Sequence, residues 1–170
     1  KLISRNFHNK SRDKFQRLIV KAAANDNYSF EDGAHIRDAY CHHLSQLADL
    51  RMDERSASHC IVYLNGDYWG VYDIREKVDD HDFTDHYYDQ QKDSIQFLKT
   101  WGGTWVEYGG PQAQTDWDNL KNYILSNPMN NAANYTTVKS QFNTGSLIDY
   151  FLLNSYVVCA DWLNWNTAWW

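Results

Sequence analysis

No stretch of this chain comes near the roughly 20 consecutive apolar residues needed for a helix to cross a bilayer, so the sequence predicts no membrane span. An excess of positive charge is missing as well. Sixteen Lys and Arg stand against 22 Asp and Glu, a net charge of -6, which excludes a general nucleic-acid binder with a basic footprint. Cysteine is scarce. Cys41, Cys60 and Cys159 are odd in number and show no C-x-x-C spacing, which argues against a disulfide framework and leaves open one bridge beside a free thiol. There is no internal repeat, no low-complexity segment and no visible targeting signal. The first residue is Lys1 and the last a Trp in mid-pattern, so the chain is expected to be a piece of a longer polypeptide, incomplete at both ends.

What the chain has in quantity is aromatic surface. It is 43% hydrophobic and 16% aromatic, with a mean hydropathy of -0.70. The apolar material therefore sits in Trp, Tyr and Phe rather than in aliphatic runs. At 170 residues, a single folded body of this size buries roughly 70% of its unfolded surface and needs no covalent staples.

"FQRLIVKAA" (15–23) contains Leu18-Ile19-Val20, which predicts a buried strand with Lys21 near its end. Ile36, Tyr40, Leu44 and Leu47 recur at helical spacing and predict an amphipathic helix over 35–50. In "HCIVYLNGDYWGVYDI" two β-rich runs flank Asn65-Gly66, the dipeptide of a tight type I′ turn, so 58–64 and 68–74 are expected to pair antiparallel. "REKVDDHDF" reads as a polar connector. "SIQFLKTWGGTWVEYGGP" predicts short strands around two Gly-Gly turns. Three helical segments follow. One begins at the capping-box-like Thr115-x-x-Asp118 and stops before Pro128. "NYTTVKSQF" makes a shorter helix. The last begins at Ser146-x-x-Asp149, and its apolar character predicts burial on most faces. The expected class is α+β: a small lobe of strand, helix and hairpin over 1–78, then a mainly helical lobe over 79–170.

The chemistry concentrates in "CADWLNWNTAWW" (159–170), where Asp161 and Asn166 interrupt an aromatic run. An Asp followed five residues later by an Asn is what phosphotransferases use to hold a catalytic carboxylate beside a metal-ligating amide. It is equally what a polar break in a sugar-binding platform of Trp162, Trp165, Trp169 and Trp170, or a solvated loop, looks like.

The residues "RLIVKAAANDN", "IRDAYCHHL", "VYLNGDYWGVYDIREKVD", "LIDYFLLNSY" and "DWLNWN", in this order, resemble the CotH kinase family, the spore-coat-protein-H-like branch of the protein-kinase-like fold. The hairpin block from Leu64 to Tyr72 with Arg75-Glu76 behind it is the most specific part, and the likeness runs through nearly the whole chain. The resemblance implies a fragment of a two-lobed kinase-like fold. Its implied activity is transfer of phosphate from ATP, with Mg or Mn, to Ser or Thr hydroxyls of secreted or surface proteins. It also places Lys21 at the α- and β-phosphates, Asp38 as the helix acid paired with it, and Glu76 where adenine or ribose is held. Asp161 becomes the catalytic-loop carboxylate and Asn166 a metal ligand. The family's second metal-binding Asp is expected beyond Trp170 and its glycine-rich strands before Lys1, so the enzyme is complete only in a longer chain.

Each of these residues also has a plainer explanation. Lys21 can lie along the strand with its ammonium in water, Asp38 can favour the helix dipole, and Glu76 can be a solvated connector acid. Glu31 and Asp32 are further acids near the helix. Trp69 and Tyr72 are expected in the core of the small lobe. Asp79, Asp80, His81, Asp82, Asp85, His86 and Asp89 crowd together but match neither a calcium loop nor a zinc template, and are read as a solvated acidic linker. His35, His42, His43 and His59 read as helix-surface or strand-end residues. Asn9, Asn27 and Asn134 open glycosylation triplets. Besides an ATP- and metal-dependent kinase acting on a protein substrate, two further functions fit: an inactive scaffold that assembles with protein partners, and an aromatic carbohydrate-binding module. A secreted or cell-surface setting follows from the resemblance.

Overall fold

The computed structural model describes residues 2–3, 7, 10–27, 32–78 and 81–170. It shows an α+β chain that divides into two compact units, Lys1–Asp89 and Gln90–Trp170.

In the first unit, short strands β1 (Leu2–Ile3) and β2 (Lys14–Phe15) pair antiparallel. The main sheet has the order β3-β5-β4, with β3 at Leu18–Lys21, β4 at Ala57–Leu64 and β5 at Asp67–Glu76. β4 and β5 form the expected hairpin, in which Asn65 (φ 54°) and Gly66 (φ 94°) supply the two positive φ angles of the turn. The register then dictates what meets. Lys21 and His59 both lie opposite Asp73, on either side of β5, while Ile19 and Ala57 lie opposite Arg75. Directly opposed residues share a face and side chains alternate, so Lys21, Asp73, His59 and Arg75 all project from one side of the sheet.

Three expectations are corrected here. β3 is an edge strand with Val20 half exposed, not a buried strand. Trp69 is 60% exposed rather than in the core, and Tyr72 is only partly covered. The reason is that β3 pairs only with residues 73–76, so the rest of the hairpin projects as a two-stranded ribbon. The acidic segment after Glu76 is not a linker. It forms α2 (His81–Tyr88) with Phe83 and Thr84 buried; Asp79 and Asp80 lie outside the described residues. Phe83 joins Phe7 and Phe15 among the buried apolar side chains of this unit.

Helix α1 (Arg37–Leu47) is shorter at both ends than its apolar spacing predicts. Its first turn is held from outside the helix. The Asp26 carboxylate accepts from the backbone N–H of Arg37 and of Ala34, both at 2.8 Å, doing the work of an N-cap side chain. Burial alone would raise the Asp26 carboxyl, but these amides outweigh it and leave it below the usual range. Asp26 follows β3 by five residues, so this bond ties the start of α1 to the end of that strand.

The second unit has the sheet order β7-β6-β8, with β6 at Phe97–Trp101, β7 at Gly103–Tyr108 and β8 at Thr167–Trp169. Helices α3 (Gly110–Ser126), α4 (Ala132–Lys139) and α5 (Thr144–Tyr156) lie between β7 and β8 in the chain. α3 starts five residues before the expected Thr115, because Gly109 at φ 98° turns the chain and Pro111 occupies the first turn. Thr115 instead bonds back to the Pro111 carbonyl at 3.1 Å. α5 is capped by Asn143, whose side chain accepts from the Ser146 amide at 3.0 Å, so Asp149 falls inside the helix and is buried. The expected burial of α5 on most faces is overturned: Ile148, Phe151, Leu152 and Tyr156 are exposed. The three cysteines are free of disulfides.

Gly66 and Gly109 separate conformational from steric cost. A Cβ at Gly66 meets nothing, whereas one at Gly109 meets the Ala113 Cβ and the Gln96 Cα at 3.0 Å. Gly66→Ala should therefore lose about 1–2 kcal/mol, the cost of a left-handed residue. Gly109→Ala should lose roughly 2–4 kcal/mol because overpacking is added. Urea unfolding of the two variants checks the order.

Candidate functional site

On the α1 side of the first sheet, charges gather where an apolar interface would be usual. The Lys21 ammonium donates to Asp38 Oδ2 at 2.6 Å. Arg75 donates to the same oxygen through Nη1, and through Nη2 to Asp73 Oδ2 at 2.6 Å. His59 Nδ1 is 2.7 Å from the other Asp73 oxygen. His42, one helical turn after Asp38, stands 3.5 Å from Asp38 Oδ1. Lys21 is thus paired with the helix acid that the resemblance names.

The expected surface position of Asp38 is only half observed, its side chain being 41% exposed while it holds two cations. The hydrogen bond from His42, against the opposing effect of burial, and then that from Lys21 keep the Asp38 carboxyl far below the usual range. Arg75 is 1% exposed; burial works against its charge, and its bonds to Asp73 and Asp38 outweigh that and keep it protonated.

Glu76 projects from the other side of β5 and is buried too. Oε1 accepts from Arg12 Nη1 at 3.0 Å and from the Tyr87 hydroxyl at 3.3 Å, and Lys10 Nζ lies 3.7 Å from Oε2. Burial, and after it the charge of Glu76, raise the Tyr87 phenol above its normal value, so it remains a donor. The connector acid of the sequence reading is therefore the node that joins segment 10–15 and α2 to β5.

In the second unit, the Asn166 Nδ2 donates to Asp161 Oδ2 at 2.9 Å, and both residues are exposed. Their loop is tightly folded, with positive φ at Val158 (52°), Leu163 (68°) and Asn166 (55°). Its second half is clamped to the sheet. Gly102 donates its amide to the Asn164 carbonyl at 2.8 Å, and the Trp165 ring closes on Gly102 so nearly that a Cβ there would meet it at 3.1 Å. β8 then pairs with β6, with Trp169 Nε1 donating to Thr100 Oγ1 at 3.0 Å. Trp162, Trp165 and Trp169 do not form a flat platform. Trp169 packs with Trp117, Phe142 and Tyr150, Trp162 packs on Tyr150 and Phe151, and Trp165 stands edge-on to Trp101 at 85°.

Among the described residues no three His, Cys, Asp or Glu side chains converge to hold a metal. The donors at hand are the Asp161 carboxylate and the Asn166 amide oxygen, which lies at the far end of the amide from the nitrogen bound to Asp161. Two hard oxygen ligands fit Mg or Mn, which retain waters and take further oxygens from phosphate. Lys21, one-third exposed, fits a nucleotide phosphate as a partly solvated ammonium on a rigid strand. Arg75, Asp73 and His42 were missed as cluster members. Residues two apart on a strand share a face, as do residues four apart on a helix, so Asp73/Arg75 and Asp38/His42 were visible as pairs. Glu31 lies outside the described residues, and Asp32 contributes its carbonyl to Arg37.

The α+β chain thus carries a strand lysine bonded to a helix acid, and an Asp and an Asn joined on one loop. Residues 6–170 match the family of CotH kinase proteins, and the chain belongs to that family as a kinase-like domain. No curated protein and no solved structure matches it.

Two stability experiments follow. Arg12→Met leaves the buried Glu76 carboxylate without its closest cation and should cost about 3 kcal/mol, the range for a broken buried pair, read by urea unfolding. For Asp38, a carboxyl held below its ordinary value of 3.8 stays charged in the fold where the unfolded chain takes up a proton. Its contribution is therefore present above about pH 4 and is lost as pH falls further. Asp38→Asn should be less stable than the parent at pH 6, and the gap should narrow at pH 3; a constant gap would refute this.

Proposed function

We propose that this domain transfers the γ-phosphate of ATP to Ser or Thr hydroxyls of a protein partner at a surface or in an extracellular structure. The observation that carries the reading is the Asp161–Asn166 bond on a loop clamped by Gly102, Trp165 and β8. Bound ATP supplies the phosphoryl group, and a divalent metal neutralises its charge. Asp161 orients the acceptor hydroxyl and takes up its proton, and the bond from Asn166 keeps the carboxylate aimed while leaving the amide oxygen to the metal. Lys21 meets phosphate charge, with Asp38 restricting where its ammonium sits. Glu76 is assigned no contact with adenine or ribose, because its buried carboxylate is already engaged by Arg12, Tyr87 and Lys10; its role is to anchor.

The family is spore-coat associated, and no helix among the described residues is long and apolar enough to cross a membrane. Both are compatible with a protein acceptor in a coat or at a surface. A carbohydrate module finds less support, since Trp162 and Trp169 are spent on packing.

The test is incubation of the full-length protein with γ-labelled ATP, Mg or Mn and candidate partners, beside Asp161→Ala. Label transfer should fall at least 100-fold, in the range expected for a positioned base, with the thermal midpoint unchanged because Asp161 is exposed. No transfer together with no nucleotide-induced thermal shift would overturn the kinase reading in favour of an assembly protein.

A further inference from the structure

The Lys21–Asp38 pair is not a self-sufficient unit. Asp38 sits on the second residue of α1 and is partly solvated, so by itself its carboxylate has several rotamers and water as a competitor. What restrains it is Arg75, 1% exposed on the central strand. One arm of the guanidinium binds Asp73 on the same strand and the other binds Asp38 on the helix. Asp73 is held in turn by His59 from β4 at 2.7 Å. The planar guanidinium, which presents its donors in a fixed fork, is suited to span two carboxylates; a lysine offers a single point charge on a flexible stem.

We infer that Arg75 is a positioning residue for the nucleotide-phosphate lysine: it fixes Asp38, and Asp38 fixes Lys21. This deepens the kinase reading and rests on it for the role of Lys21. Three strands and a helix take part, so the lysine is aligned by the packed sheet itself. Asp38 has a second cation, so its charge is shared rather than spent on Lys21. The ammonium is thereby located without being fully neutralised, which is what an anionic ligand requires. His42 also meets the remaining Asp38 oxygen, at 3.5 Å, but it stands on α1 with Asp38, whereas Arg75 ties Asp38 to the central strand.

The first measurement needs no nucleotide. Reductive methylation of the full-length protein, read at the Lys21 peptide by mass spectrometry, reports how firmly that ammonium is held. Asp38→Asn releases it and sets the upper rate. Arg75→Gln should match Asp38→Asn, with methylation at Lys21 faster by about tenfold, as for the loss of one charge-assisted contact, while the other lysines keep their parent rates. Arg75→Lys retains a buried cation if the glutamine variant fails to fold. It should still methylate faster than the parent, because it cannot span both acids. A parent-like Lys21 rate in folded Arg75 variants, with Asp38→Asn raised, would overturn the inference.

The second measurement is binding of ATP and of adenosine by calorimetry. Arg75→Gln should weaken ATP and leave adenosine unchanged, and in combination with Lys21→Ala should weaken ATP no further than Lys21→Ala alone. Additive losses would refute the coupling. A parent protein that binds no ATP would refute the kinase reading, while the methylation result would still decide the role of Arg75.

Discussion

A guanidinium taken out of water has to be met by carboxylates, and in this protein that requirement falls on Arg75. Satisfying it brings Asp73 to the same face of β5 and pulls Asp38, with the start of α1, down onto the sheet. Asp26 secures the same helix end to the chain that leaves β3. Everything on this side of the sheet then follows from the strand register: Lys21 and His59 flank Asp73 from the two neighbouring strands. Four buried charges on β5 and segment 10–15 (Asp73, Arg75, Glu76 and Arg12) are an unusual core. Such pairs add little net stability over apolar packing, because desolvation offsets attraction, yet losing one partner is costly. Their effect is to permit one arrangement of helix, sheet and N-terminal segment and to penalise the others.

The second unit reaches a similar end by different means. Its Asp and Asn are exposed, and the precision comes from the backbone: a loop with three positive φ angles, a glycine under a tryptophan ring, and a closing strand. Aromatic side chains supply the rigidity. Trp169 lies among Trp117, Phe142 and Tyr150 and ties the end of the loop to α3 and α5. The aromatic run that invited a sugar-binding explanation is thus largely a local core, and its polar interruption is where that core opens to solvent.

The misjudged segments share a cause. Acidic residues made 81–88 look like a linker, although Phe83, Thr84 and Tyr87 mark one covered helical face, which meets Glu76 and, from far away in sequence, Lys10. The apolar character of α5 implied burial all round, but burial is a property of neighbours, and one face of this helix has none among the described residues. Trp69 and Tyr72 were placed in a core that the short β3 does not extend far enough to create.

Local chemistry was legible throughout. Asn65-Gly66 dictates its turn and hence the β4–β5 register, apolar spacing dictates α1, and the five-residue interval puts Asp161 and Asn166 within reach on one loop, because each depends on residues close in sequence. Only the tertiary structure decided that Arg75 would stand between Asp38 and Asp73, that Glu76 would be a buried anchor, and that Lys21 would meet its acid. Those contacts join residues up to 66 positions apart, as Lys10 and Glu76 are. They exist because strand pairing and the cost of an uncompensated buried charge bring these side chains together.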